Sequence, residues 1–90
     1  MNKWTVIYEI NCEYVDNEDP SEINFATIWI MPGIQKADSL GGVENYGYVE
    51  GAIKFVGPIR MKEAKMIYRA LIDFLVKTSD EVYYFDAADD

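Results

Sequence analysis

The stretch IRMKEAKMIYRALIDFLVKTS, residues 59–79, decides the fold. Ala64, Ile67, Tyr68, Leu71, Phe74 and Leu75 recur at i, i+3 and i+4 spacing, which predicts one amphipathic helix over roughly 61–78. Arg69, Asp73 and Lys77 sit four apart on the opposite face, where such pairs add only about 0.3–0.5 kcal/mol each. Gly57 and Pro58 stand just before the helix and read as the end of a strand. The other periodic stretches have strand character, so a single helix must cover one face of a sheet.

On the N-terminal side, KWTVIYEINCEYV (residues 3–15) alternates. Trp4, Val6, Tyr8, Ile10, Cys12 and Tyr14 fall on one face, and Thr5, Glu9, Asn11 and Glu13 mostly on the other. DNEDPSE (16–22) gathers turn residues, and INFATIWIM (23–31) resumes a β-branched and aromatic run, so the two segments read as a hairpin. The second is apolar at almost every position. It reads as a central strand whose far side is covered by a second layer or a partner. Residues 32–47, PGIQKADSLGGVENYG, hold no sustained period and read as a loop, long enough to be functional or mobile. A third strand is expected over YVEGAIKFV (48–56), with Val49, Ile53 and Phe55 inward and Gly51 at a bulge or a close backbone approach. After the helix, EVYYF (81–85) reads as a short strand added to an existing edge, with Tyr83 or Tyr84 pointing outward. The order βββαβ predicts one α+β domain over residues 1–90, two-layered, with a mainly antiparallel sheet packed on one face by the helix.

Composition narrows the chemistry. The 90 residues contain no histidine, which removes the commonest general base and zinc ligand. Cys12 is alone, so no intrachain disulfide or CxxC site forms. It reads as a small buried hydrophobe in a reducing compartment. No apolar run approaches the roughly 20 residues of a membrane span. The expectation is a soluble cytoplasmic protein without cofactor or metal. Asp16, Asn17, Glu18 and Asp19 fail the calcium-loop pattern, because Ser21 and Thr27 stand where glycine and glutamate are needed. The segment ADSLG around Ser39 lacks the first glycine of a nucleophile elbow, and Gly41-Gly42 lacks a phosphate-loop context. Glu9 and Glu13 are roughly 13 Å apart along an extended strand, too far for paired acid–base work without a cross-strand partner.

Charge is the remaining signal. Net charge is −8 at pH 7, which argues against direct binding of nucleic acid or an anionic membrane and points to a protein partner with a basic surface. From Glu9 to Glu22 there are six acids and no base, and from Ser79 to Asp90 five acids and no base. Arg60, Lys62, Lys65, Arg69 and Lys77 put five of the eight bases in the helix region. With the helix behind one sheet face, Glu9 and Glu13 project on the other, while Glu18, Asp19 and Glu22 crowd the hairpin tip. Such an array of carboxylates imitates phosphates. The bland alternative is a solubilising surface with charged edge protection. Thirteen aromatics, seven of them tyrosine, exceed what a core behind one helix absorbs. Tyr8, Tyr14, Tyr46 and Tyr48 are the candidates for apolar contact beside the acids.

KFVGPIRMKEAKMIYRAL, residues 54–71, resembles the strand, Gly-Pro and helix junction of SPOR-type peptidoglycan-binding domains. The resemblance spans 18 residues, and the βαβ repeat of such a domain is missing, so its function does not carry over. In size, acidity and absence of catalytic groups the chain is similar to phage-encoded inhibitors of host defence, such as anti-CRISPR and anti-restriction proteins, and to toxin-neutralising immunity proteins. That similarity implies a non-enzymatic inhibitor blocking a basic, nucleic-acid-binding surface. The second expectation is a structural module that forms a homodimer through strands 23–31 and EVYYF.

Overall fold

The computed structural model describes residues 2–11, 24–36, 40 and 46–87. The elements run β1 (Lys3–Asn11), β2 (Phe25–Pro32), β3 (Ile53–Arg60), α1 (Met61–Thr78) and β4 (Glu81–Ala87). The four strands form one sheet in the order β3-β2-β1-β4. β2 is antiparallel to both β1 and β3, whereas β4 is parallel to β1. This is the expected α+β arrangement, with a mostly antiparallel sheet and a single helix. The chain leaves the sheet at β3, crosses one face as α1 and re-enters at the opposite edge as β4.

Alternation along the strands supplies the core. Val6 and Tyr8 of β1 with Ala26 and Ile28 of β2 pack on Met61, Ala64, Leu71 and Leu75 of α1. The helix N-terminus is held where Met61 N–H donates to the Asn24 carbonyl at 3.0 Å. At its other end the Ser79 N–H donates to the Leu75 carbonyl at 2.8 Å.

The opposite face of the sheet is also dry. Ile7, Trp29 and Met31 form a second cluster with Leu40 and Tyr46, flanked by Val49, Ala52, Phe85 and Ala87. The cover that β2 requires therefore comes from the chain itself, through the connection between β2 and β3. Thr5, fully buried on this face, fixes where that connection begins: its hydroxyl donates to the Gly33 carbonyl and accepts from the Gln35 N–H, both at 2.8 Å. Burial of large apolar side chains at about 1.5–3 kcal/mol each makes this second cluster a substantial part of the stability.

Three expectations need correction. The third strand lies at 53–60, not 48–56, and runs through Gly57 and Pro58 instead of ending there. Residues 46–48 form a short 3₁₀ turn. An edge strand tolerates proline, whose missing N–H removes no bond from a central ladder. Ile53 and Phe55 are consequently 57% and 49% exposed, and Val56 and Ile59 are the β3 residues packed towards the helix. Secondly, the irregularity lies not at Gly51, which sits in a turn with open space around it, but at Gly57. The β2–β3 register shifts around Ala26, Ile28 and Trp29, and a Cβ on Gly57 would lie 2.7 Å from the Thr27 Cα. Thirdly, Phe74 is 62% exposed; Met61 and Ile72 join the buried face in its stead. Cys12, residues 12–15 of the expected first strand, Ile23 and the motifs around Ser39 and Gly41 lie outside the described residues.

Gly51 and Gly57 both have positive φ, +86° and +126°. Gly51→Ala should cost about 1 kcal/mol from backbone conformation alone. Gly57→Ala adds the collision with the β2 backbone and should cost about 3 kcal/mol or more. Urea midpoints of the two variants measure the difference. Equal losses would show that β2 does not approach Gly57.

Candidate partner-binding surface

Register determines where the acidic stretches meet. Asn2 and Asp80 clasp the start of the β1–β4 pair. The Asn2 N–H donates to Asp80 Oδ2 at 3.0 Å, and the Asp80 N–H donates to the Asn2 carbonyl at 2.7 Å. Lys3 and Glu81 follow at 3.7 Å. From there the strands run parallel, with Tyr8 opposite Asp86 and Glu9 opposite Ala87. The C-terminal ends of β1 and β4 therefore lie side by side at one end of the sheet. Residues 12–23 join Asn11 to Asn24 at this end and carry five acids and no base; residues 88–90 leave from Ala87 and add Asp89 and Asp90. Glu13, Tyr14, Glu18, Asp19 and Glu22 lie outside the described residues.

Glu9 is on the sheet face opposite the helix, as its place in the alternation requires. Its Oε1 accepts a hydrogen bond from Trp29 Nε1 at 2.8 Å. The bond satisfies an indole donor that is otherwise buried, so Glu9 holds Trp29 as well as contributing charge. Lys54 lies 5.8 Å from the centre of the Trp29 ring on the same face.

The tyrosines separate. Tyr8 is only 2% exposed and faces the helix, its ring 5.1 Å from Tyr68 and its hydroxyl donating to the Met61 carbonyl at 3.5 Å. It is a core residue with almost no surface to offer a partner, which corrects its place among the partner-facing candidates. Both faces of β1 are covered, so alternation alone could not tell that Tyr8 was enclosed. Tyr46 is buried in the second cluster, while Tyr48, two residues on, is 88% exposed.

The sequence pattern carries no sign of one further feature. Between α1 and β4 lies a groove of about 550 Å³, floored by Tyr8, Tyr68 and Tyr84, with Ile72 and Val76 on the helix side. Lys65, Arg69 and Asp73 stand on its helix wall and Asp86 on its strand wall. Neither Lys65 nor Arg69 comes within ion-pair distance of Asp86 among the described residues. Tyr84 meets Tyr68 edge-on, with ring centres 6.3 Å apart. The Tyr68 hydroxyl is buried without a well-aligned hydrogen-bond partner. Burial, followed by the negative charge of Asp86, pushes its pKa well up. Burial raises Tyr8 and Tyr46 as well, with Asp86 and Glu9 respectively adding to the effect. The adjacent tyrosines at 83 and 84 signalled that one must face outward. Only the pairing of β4 with β1 sets Tyr84 beside Tyr68.

On the helix face Arg60, Lys62, Lys65, Arg69 and Lys77 are exposed. Lys77 reaches Asp73 at 3.4 Å, with both side chains mostly in solvent, a contact worth at most about 1 kcal/mol. No helix is long and apolar enough to cross a membrane among the described residues. Comparison with family models, curated proteins and solved structures found no match to the chain.

The raised tyrosines make stability fall in alkali. Each is kept protonated in the folded protein beyond the usual value of about 10, so its contribution is intact below that pH and is lost as pH rises through the folded pKa. Thermal melts at rising pH should show Tm dropping above about pH 10. Tyr68→Phe should flatten the drop and leave Tm at neutral pH equal or higher, because it removes a buried hydroxyl whose approach to Asp86 falls short of a well-formed hydrogen bond. A marked loss of Tm at neutral pH would show that the hydroxyl is well bonded.

Proposed function

We propose that this is a non-enzymatic binding protein that covers a basic, nucleic-acid-binding surface of a partner protein and so blocks it. The observation that carries the reading is the parallel β1–β4 pairing, with Glu9 opposite Ala87, because it brings the origins of both acid-rich stretches to one end of the sheet. An antiparallel β4 would have sent the C-terminal residues to the other end. Glu9, Glu13, Glu18, Asp19 and Glu22 then supply negative potential that steers and orients encounter with Lys and Arg side chains. Tyr48 is exposed and open to apolar contact, whereas Tyr8 and Tyr46 are buried in the two cores. Five of the eight bases, Arg60, Lys62, Lys65, Arg69 and Lys77, lie in the helix region away from Glu9, while Lys54 shares the Glu9 face, Asp73 lies on the helix and Asp86 beside it. Inhibitors of nucleic-acid-handling enzymes, of the anti-defence or immunity kind, are the class this arrangement fits.

The test must not disturb folding. Glu9→Lys would orphan the Trp29 indole N–H, so Glu9 is probed as Glu9→Gln, whose amide oxygen still accepts. The triple change Glu13→Lys, Glu18→Lys and Glu22→Lys probes the connecting segment. Immobilised wild-type protein should capture a nucleic-acid-binding protein from the source cell, release it in salt of about 0.5 M, and compete with its nucleic acid in a gel-shift assay. The triple variant should melt within a few degrees of wild type and lose capture. Capture undiminished in the triple variant, or a captured protein whose nucleic-acid binding is unaffected, would contradict the proposal.

A further inference from the structure

The groove between α1 and β4 has a polar end and an apolar end. Lys65, Arg69, Ile72 and Val76 fall at i, i+4, i+7 and i+11, so one stripe of α1 presents two cations in its first half and two aliphatic side chains in its second. Asp86 belongs to the polar end. It stands opposite Tyr8, whose hydroxyl reaches the Met61 carbonyl at the start of α1. Tyr84, half-exposed, lies two residues back along β4 on the same face as Asp86. A volume of about 550 Å³ falls within the roughly 300–1,000 Å³ of small-molecule sites.

Charges of both signs line the polar end without meeting. Lys65 and Arg69 make no ion pair or hydrogen bond among the described residues, and neither reaches Asp86. Asp73 is already matched by Lys77 at 3.4 Å. The Tyr68 hydroxyl approaches Asp86 without a well-formed bond, which leaves the carboxylate with lone pairs to offer. Two cations on the helix wall therefore face one carboxylate on the strand wall across a gap. We propose that this groove binds a zwitterion with an apolar tail, of the class of large apolar α-amino acids. The ligand's carboxylate lies against Lys65 and Arg69, its ammonium against Asp86, and its side chain along Tyr84, Ile72 and Val76.

The balance of charge selects this ligand over its competitors. An anion drawn to Lys65 and Arg69 meets Asp86, and a cation drawn to Asp86 meets Lys65 and Arg69. A zwitterion satisfies both walls at once. It carries no net charge, so the −8 of the chain does not repel it. The apolar end then discriminates by size, because a ligand without a side chain leaves Tyr84, Ile72 and Val76 in water. Glu9 lies on the other face of the sheet, so binding of an amino acid here does not depend on the basic-partner reading.

The test titrates the full chain, labelled with nitrogen-15, with L-phenylalanine. The amide signals of Arg69, Ile72, Tyr84 and Asp86 should shift and saturate with a Kd below about 1 mM. Three analogues each lack one recognised group: 3-phenylpropionate the ammonium, phenethylamine the carboxylate, and glycine the side chain. Each should bind at least about tenfold more weakly. Lys65→Gln with Arg69→Gln should weaken phenylalanine without weakening phenethylamine, and Asp86→Asn should weaken phenylalanine without weakening 3-phenylpropionate. The three substituted side chains are exposed, so both variants should keep the wild-type melt. Either charged analogue binding as tightly as phenylalanine would overturn the zwitterion. Adenosine monophosphate binding more tightly would assign the groove to an anion and overturn the proposal. Absence of saturable shifts up to about 10 mM phenylalanine, or shifts confined to the Glu9 face, would overturn the site.

Discussion

The structure depends on β1 being enclosed from every side. β2 and β4 occupy its two edges, α1 covers Val6 and Tyr8 on one face, and the β2–β3 connection covers Ile7 on the other. Thr5, Val6, Ile7 and Tyr8 consequently form a run of four buried residues in a chain of only 90. A small domain buries a modest share of its surface, so a strand buried on both faces supplies a disproportionate part of the hydrophobic stabilisation. The few polar groups in that environment are matched: the Thr5 hydroxyl both donates and accepts, and the Trp29 indole donates to Glu9.

Electrostatic organisation follows from that packing. Exposed ion pairs such as Lys77–Asp73 do little for stability, and the apolar clusters do not need the surplus of acids. Because β4 enters parallel to β1, clasped at Asn2 and Asp80, one choice of strand direction decides three things together. It sets the ends of β1 and β4, from which the acid-rich stretches continue, side by side, leaves β4 at an edge of the sheet, and opens the tyrosine-lined groove against α1.

Much of this was legible in the residues. The 3.6-residue period gave α1 to within a residue, and alternation in KWTVIYEIN gave β1 and placed Glu9 on the face away from the helix. The apolar run 23–31 called for cover on both sides, and Leu40, Tyr46, Val49 and Ala52 supply it. These are single apolar residues without a period, which is why the connection read as a bare loop. Gly57 and Pro58 misled because they are strong breakers in isolation, whereas on an edge strand proline removes no central bond and glycine fits against Thr27. Phe74 looked like core because its spacing from Leu71 and Ile67 is helical, yet its exposure shows that the buried stripe runs through Met61, Ala64, Leu71 and Leu75. The groove depends on β4 choosing β1 over the β3 edge, a long-range pairing that no local pattern encodes.

Strand direction can be read directly in solution. A nitroxide attached through Ala87→Cys, in a chain also carrying Cys12→Ser, broadens amide signals nearby. Adjacent strands are about 5 Å apart, while six residues along a strand span about 20 Å. The account predicts strong broadening at Tyr8, Glu9 and Ile10, with Lys3 and Trp4 spared. Broadening at Lys3 and Trp4 with Glu9 spared would mean that β4 runs the other way, and the common acidic end would not exist.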